Sequence, residues 1–301
     1  MTLSAAIGIL FLATAIAGPL LLGLTGLLRA QTPSAAAAAA PAPWDWRLTI
    51  RSSLFYALAF NLVFLIQELF LVVPKSLTPG LRPTLYHNNH NWEGTHPLES
   101  LFQGAGALAI LVSGLVFAWL ARRGAGRTEA KRLFVLWMAY HGLFQSLPQF
   151  AFASAAPGSD TGQALDWFAL PASAELAVTI LGMAAIIAGG LMMTARFLEF
   201  GPRMDSGRAR SRFVFSAAVV PAAMAIPILI LFRVPREWQE VVIPTVAVPL
   251  IGLVWVQANA WRTRVTPRPV AVSPSLTTPL VLVVLLLAFF QIVLRPGIPF
   301  Y

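Results

Sequence analysis

Residues 50–74 read IRSSLFYALAFNLVFLIQELFLVVP. At 1.5 Å per residue a helix over these positions is about 37 Å long, enough to cross a hydrocarbon core of about 30 Å. The run is continuously apolar rather than alternating, so it reads as a membrane-spanning helix and not as a strand of a β-barrel. It also carries a carboxylate, Glu68, six residues before its end. An ionisable side chain inside such a run is costly and points to a bundle interior or a wet cavity.

Similar runs recur on both sides. Eight spans are expected, at about 3–28, 50–74, 97–121, 133–153, 167–197, 213–232, 241–261 and 278–294. The predicted fold is therefore all-α, a polytopic helical membrane protein with about eight transmembrane helices in one bundle, spanning residues 1–301 as a single domain. The fifth run is over-long, and Pro171 is a natural place for its helix to begin. The first run lacks the basic residues that precede a signal peptide and is longer than a typical signal core, so a retained helix is expected. Composition agrees. The 301 residues are 57% hydrophobic and only 11% charged, with a mean hydropathy of +0.73. A soluble protein of this size needs far more charge to cover its surface.

The basic residues set an orientation. Sixteen of the 21 Lys and Arg fall in the loops after the first, third, fifth and seventh runs. By the positive-inside rule those loops face the cytoplasm, which puts both termini outside the inner (cell) membrane. The net charge of +9 then reflects contact with the bilayer and its anionic lipid head groups, not with nucleic acid. Residues 32–43 form an Ala/Pro-rich linker in the first cytoplasmic loop. The chain has no cysteine, so disulfides and thiolate ligands are excluded.

Polar residues gather on the outer side. Three of the four histidines, His87, His90 and His96, fall in the stretch YHNNHNWEGTHP at 86–97, between the second and third runs. The fourth, His141, lies in the fourth run, followed at i+4 and i+8 by Gln145 and Gln149 on the same helical face. Glu68 has Gln67 beside it. Glu99 and Gln103 open the third run, Asp160 lies in the loop before the fifth, and Glu175 is expected about 12 Å into the fifth if that helix starts near Trp167. Gly104, Gly106, Gly114, Gly182, Gly189 and Gly190 let these helices approach closely.

The second to fifth spans are thus expected to enclose an outward-opening, periplasm-facing cavity capped by the histidine segment. Imidazole and carboxylate together suit Zn or non-haem Fe. On that reading His87, His90, His96, His141 and Glu99 are ligands. Glu68 and Glu175 are general bases or further ligands, and Gln103, Gln145, Gln149 and Asp160 line the cavity. The chain would be a metal-dependent membrane enzyme acting on a lipid-like substrate. Two other classes stay open. One is a proton- or ion-coupled transporter or channel module using Glu68, His141 and Glu175. The other is a non-catalytic subunit or assembly factor. Simpler readings stand beside these: hydrated loop histidines, a helix start at His96–Glu99, and an interhelical hydrogen-bond cluster around His141. No HExxH motif is present.

Overall fold

A computed structural model of the chain describes residues 3–30, 43–126, 128–235, 238–268, 271 and 275–301. The Ala/Pro-rich segment expected at 32–43 lies almost wholly outside them. Eleven α-helices and three short strands follow in chain order among the described residues. Helix α1 (Leu3–Leu12) continues through a π-helical turn into α2 (Gly18–Ala30). Then come α3 (Trp46–Ser76), the strands β1 (Arg82–Leu85) and β2 (His90–Glu93), α4 (Glu99–Arg122) and α5 (Glu129–Phe152). Helix α6 (Asp160–Phe168) is short and precedes α7 (Ala172–Leu198). Helix α8 (Gly207–Val214) passes through a second π turn into α9 (Val220–Arg233). The chain closes with α10 (Trp238–Asn259), α11 (Thr277–Ala288) with a π-helical extension to Leu294, and β3 (Ile298–Pro299).

Local chemistry sets several starts. Asp45, Thr128, Ser159 and Ser206 cap α3, α5, α6 and α8, each accepting a backbone N–H three residues on. Pro171 precedes α7, so the over-long fifth run divides into α6 and α7, with Ala169 turning between them in the left-handed region (φ 46°).

Six helical stretches among the described residues are long and apolar enough to cross a membrane: Ala5–Arg29, Trp46–Ser76, Glu99–Arg122, Ala172–Leu198, Gly207–Arg233 and Thr277–Leu294. They carry exposed apolar side chains, among them Leu181 (68%), Leu285 (61%) and Ile292 (72%). Such surface is compatible with an integral membrane protein and is unusual for a soluble monomer. The other two expected spans differ for separable reasons. The seventh run gives the shorter apolar stretch Pro244–Asn259. The fourth gives α5, a full 24-residue helix that carries Glu129, Lys131, Arg132, His141 and two glutamines. A helix wrapped by other helices has no need of an apolar outer face. Trp137, Tyr140, His141 and Phe144 of α5 are all fully buried.

Small residues let α5 occupy that centre. Gly114 of α4 and Gly142 of α5 face each other so closely that a Cβ on Gly114 would lie 2.6 Å from the Gly142 carbonyl carbon. Gly182 of α7 packs on Ala151, Gly252 of α10 on Tyr140, and Gly106 of α4 on Gln67 and Leu71 of α3. The histidine segment, expected as an irregular cap, is a β-hairpin. β2 pairs antiparallel with β1, Leu85 opposite His90, and β3 adds to the other edge of β1. The C-terminal residues and the hairpin therefore share one small sheet against the end of α3.

Candidate functional site

α3 does not stop at Pro74. It runs to Ser76, which places Glu68, Leu71 and Lys75 on one helical face. Lys75, which directly follows Pro74, is fully buried. Its ammonium donates to the Leu71 carbonyl at 3.1 Å, to Gln103 Oε1 at 2.8 Å and to His90 Nε2 at 3.1 Å. All three N–H groups are thereby used. The same ammonium lies 4.3 Å from the centre of the Trp92 ring, a cation–π contact.

His90 comes from β2 and Gln103 from α4. His90 Nδ1 lies 2.9 Å from Glu68 Oε2. Nε2 lies between the Lys75 ammonium and, at 3.2 Å, Gln103 Oε1; with Nε2 accepting from the ammonium, the imidazole proton is on Nδ1 and is donated to Glu68. Trp92 stacks parallel to the imidazole with centres 5.7 Å apart, fixing its plane. Glu68 and Gln103 are both buried. The order Glu68–His90–Lys75–Gln103 is thus a closed set of charge-assisted hydrogen bonds roofed by the hairpin.

Asp160 starts α6 beside this set. Burial lifts its carboxyl above the ordinary carboxylate range. The Glu68 charge pushes the same way, and His90 and Lys75 oppose it. α6 is held over α4 by Ala164 against Gly104, and by the Trp167 indole donating to the Pro97 carbonyl at 2.8 Å.

The other expected site residues lie apart from this set. His96 lies just before α4 and is tied to its start: its Nδ1 accepts from Leu98 N–H, and its own N–H donates to Glu99 Oε2 at 3.1 Å. His87 is buried in the hairpin turn. Next to it Asn88 donates to the Arg233 carbonyl at 2.7 Å, docking the turn on the end of α9. His141 sits among the rings of Tyr56 (4.3 Å), Phe60 (5.3 Å), Tyr140 (5.3 Å) and Trp137 (5.9 Å), an aromatic box in the middle of α5. Glu175 lies in the first turn of α7, because that helix begins at Ala172 and not near Trp167. It is at the helix rim instead of the expected depth. No hydrogen bond or ion pair joins its side chain to Glu68, His90 or Lys75 among the described residues.

Gln145 and Gln149 face α3. Gln145 donates to the Phe60 carbonyl at 3.3 Å and Gln149 to Gln67 Oε1 at 3.1 Å. They continue the polar side of the α3–α5 contact away from Glu68. At the far end of the same contact, Arg51 of α3 forms a buried ion pair with Glu129 of α5.

The expected metal centre finds no support in this arrangement. No group of three or more His, Asp or Glu side chains among the described residues is placed to hold an ion. The four histidines serve four different places, and the point between His90 and Gln103 that a cation would occupy is filled by the Lys75 ammonium. Comparison with family models, curated proteins and solved structures found no match.

Proposed function

We propose that the chain is an eight-span protein of the inner (cell) membrane, with both termini outside, and that its Glu68–His90–Lys75 set is a proton-exchanging site of a proton-coupled transport module. The observation that carries the reading is the imidazole of His90 bonded on one nitrogen to a carboxylate and on the other to an ammonium. That is the geometry of a proton relay. Passing one proton from Lys75 Nζ to His90 Nε2, and the Nδ1 proton on to Glu68, turns the ion pair into a neutral amine and a neutral carboxylic acid. The imidazole ends neutral, in its other tautomer. The site can therefore shed its charge without taking up an ion, as a group moving between wet and apolar surroundings requires.

The eight-span count rests on helix length. α5, with 24 residues, is about 36 Å long, and α10, with 22, about 33 Å. Both match the six apolar stretches in reach. The direction of the relay is suggested by the polar line through Gln67, Gln149 and Gln145, past His141 and Tyr56, to the Arg51–Glu129 pair. With the internal ammonium in place, a resident metal enzyme is the weaker reading.

The test is proton flux. Purified protein in vesicles loaded with a pH-sensitive dye is driven by a potassium diffusion potential. Acidification above that of empty vesicles, abolished by Glu68→Gln, is the expected result. Flux equal in wild type, Glu68→Gln and empty vesicles would rule the reading out.

A further inference from the structure

A second feature shares no residue with the Glu68 set. The N-terminal helix (α1, α2), α9 and α10 do not close on one another. They leave an apolar groove of about 950 Å³, at the upper end of the range for small-molecule sites. Ile16, Leu20 and Leu24 form one wall, Val219, Ala223 and Ile226 a second, and Val246 and Leu250 a third. The groove opens sideways, with Leu20 67% and Leu250 57% exposed.

Its two ends differ. One end is closed by Trp261, on which Gly26 of α2 and Gly207 of α8 both pack closely. There the Arg262 guanidinium contacts the Thr25 hydroxyl. Arg29, Arg208, Arg212 and Arg264 are exposed around the same end. Arg210 is spent on the carbonyls of Met204, Asp205, Ala260 and Trp261. One acid, Asp205, accompanies them and is paired with Arg203. One turn inside Trp261, the Gln257 amide donates to Ser211, while its buried Oε1 has no hydrogen-bond partner among the described residues.

We infer that this groove is a binding site for one anionic phospholipid, with its acyl chains along α2, α9 and α10 and its head group against Arg208, Arg262 and their neighbours. The long apolar walls fit acyl chains. The arginines gathered at the Trp261 end fit an anionic head, and Gln257 Oε1 offers an acceptor to a lipid hydroxyl. By the distribution of basic residues this is the cytoplasmic leaflet, where anionic lipids meet basic segments.

The experiment uses phosphatidylglycerol and phosphatidylcholine carrying the same photoactivatable acyl chain. Each is mixed into vesicles holding the full-length protein, and adducts are mapped by mass spectrometry. Adducts on Leu20, Leu24 and Leu250 should form several-fold more with phosphatidylglycerol. The preference should disappear in Arg208→Gln/Arg262→Gln, and all groove adducts should fall in Ala223→Phe, which fills an exposed position without entering the core. Ala247→Phe is the second filling variant and should behave alike. Equal labelling by the two lipids, or labelling undiminished by both filling variants, would overturn the inference. So would groove adducts replaced by cross-links between two copies of the chain, which would mean that the groove is covered by a second copy.

Discussion

The Lys75 ammonium and the His90 imidazole meet at 3.1 Å under the Trp92 ring, with Glu68 at 2.9 Å on the far nitrogen of the same imidazole. Lys75 thus plays inside the fold the part that a bound cation would otherwise play, and the carboxylate and the ammonium depend on each other.

That dependence is measurable. Lys75→Met takes the ammonium out of the buried set that holds Glu68 and His90, and breaking a buried pair costs about 3–5 kcal/mol. Lys75→Met/Glu68→Gln removes both charges and should recover most of the loss. Unfolding of the two single variants and the double variant in detergent gives the coupling. Losses that simply add would show that the two residues do not share an interaction.

Asp160 gives a pH signature. Its carboxyl titrates above the ordinary carboxylate range because it is buried near Glu68. Between its unfolded value, about 3.9, and its raised folded value the folded protein therefore holds more protons than the unfolded one. Stability from this group is present at low pH and is lost as pH rises through that window. Asp160→Asn removes the loss, so the melting temperature of the variant relative to wild type should climb from about pH 4 upward and then level off. A relative melting temperature that falls with pH would contradict the placement of Asp160.

The α4–α5 contact predicts an all-or-none steric effect. A side chain at Gly142 has backbone of Gly114 within 2.4 Å of its Cβ position, and backbone cannot move aside as a flexible side chain can. Gly142→Leu should yield no folded protein by size-exclusion profile. Gly158→Leu, where nothing lies within 4 Å, should be indistinguishable from wild type. Normal folding of Gly142→Leu would mean that the two helices are farther apart.

Topology can be read chemically, because the chain has no cysteine of its own. Gly158→Cys, before α6, and Thr266→Cys, after α10, are both at exposed positions. In intact cells an impermeant thiol reagent should label position 158 and not 266. The reverse pattern would move the Glu68 set to the cytoplasmic side.

Much of this arrangement is legible in the sequence, and the parts that are not have identifiable causes. The apolar run through α3, its interior Glu68, the polar face of α5 and the division at Pro171 all follow from composition and periodicity. The helix start just after Pro97 is legible too: α4 begins at Glu99, whose carboxylate accepts from His96 N–H. Lys75 is not legible, because Pro74 and the following KSLTPG look like a loop, whereas α3 continues one more turn and draws the lysine inward. The hairpin is hidden by Pro83, which argues against a strand. Here β1 is short, Pro83 stands opposite Trp92, and its carbonyl accepts from Phe300 N–H. That pairing comes from the far end of the chain, which local pattern cannot reveal. As sequence, His141 and His90 are both candidate ligands. Only packing separates a ring boxed by aromatics from one bridged between charges.

The most direct test is the proton on His90. With four histidines in the chain, nitrogen-15 labelling gives a spectrum simple enough to assign by single His→Gln variants. The relay requires a neutral His90 with its proton on Nδ1, facing Glu68, and Nε2 bare, facing Lys75. Lys75→Met should alter the Nε2 signal and Glu68→Gln the Nδ1 signal. A wild-type His90 that carries its proton on Nε2, with neither signal responding to Lys75→Met, would contradict the account.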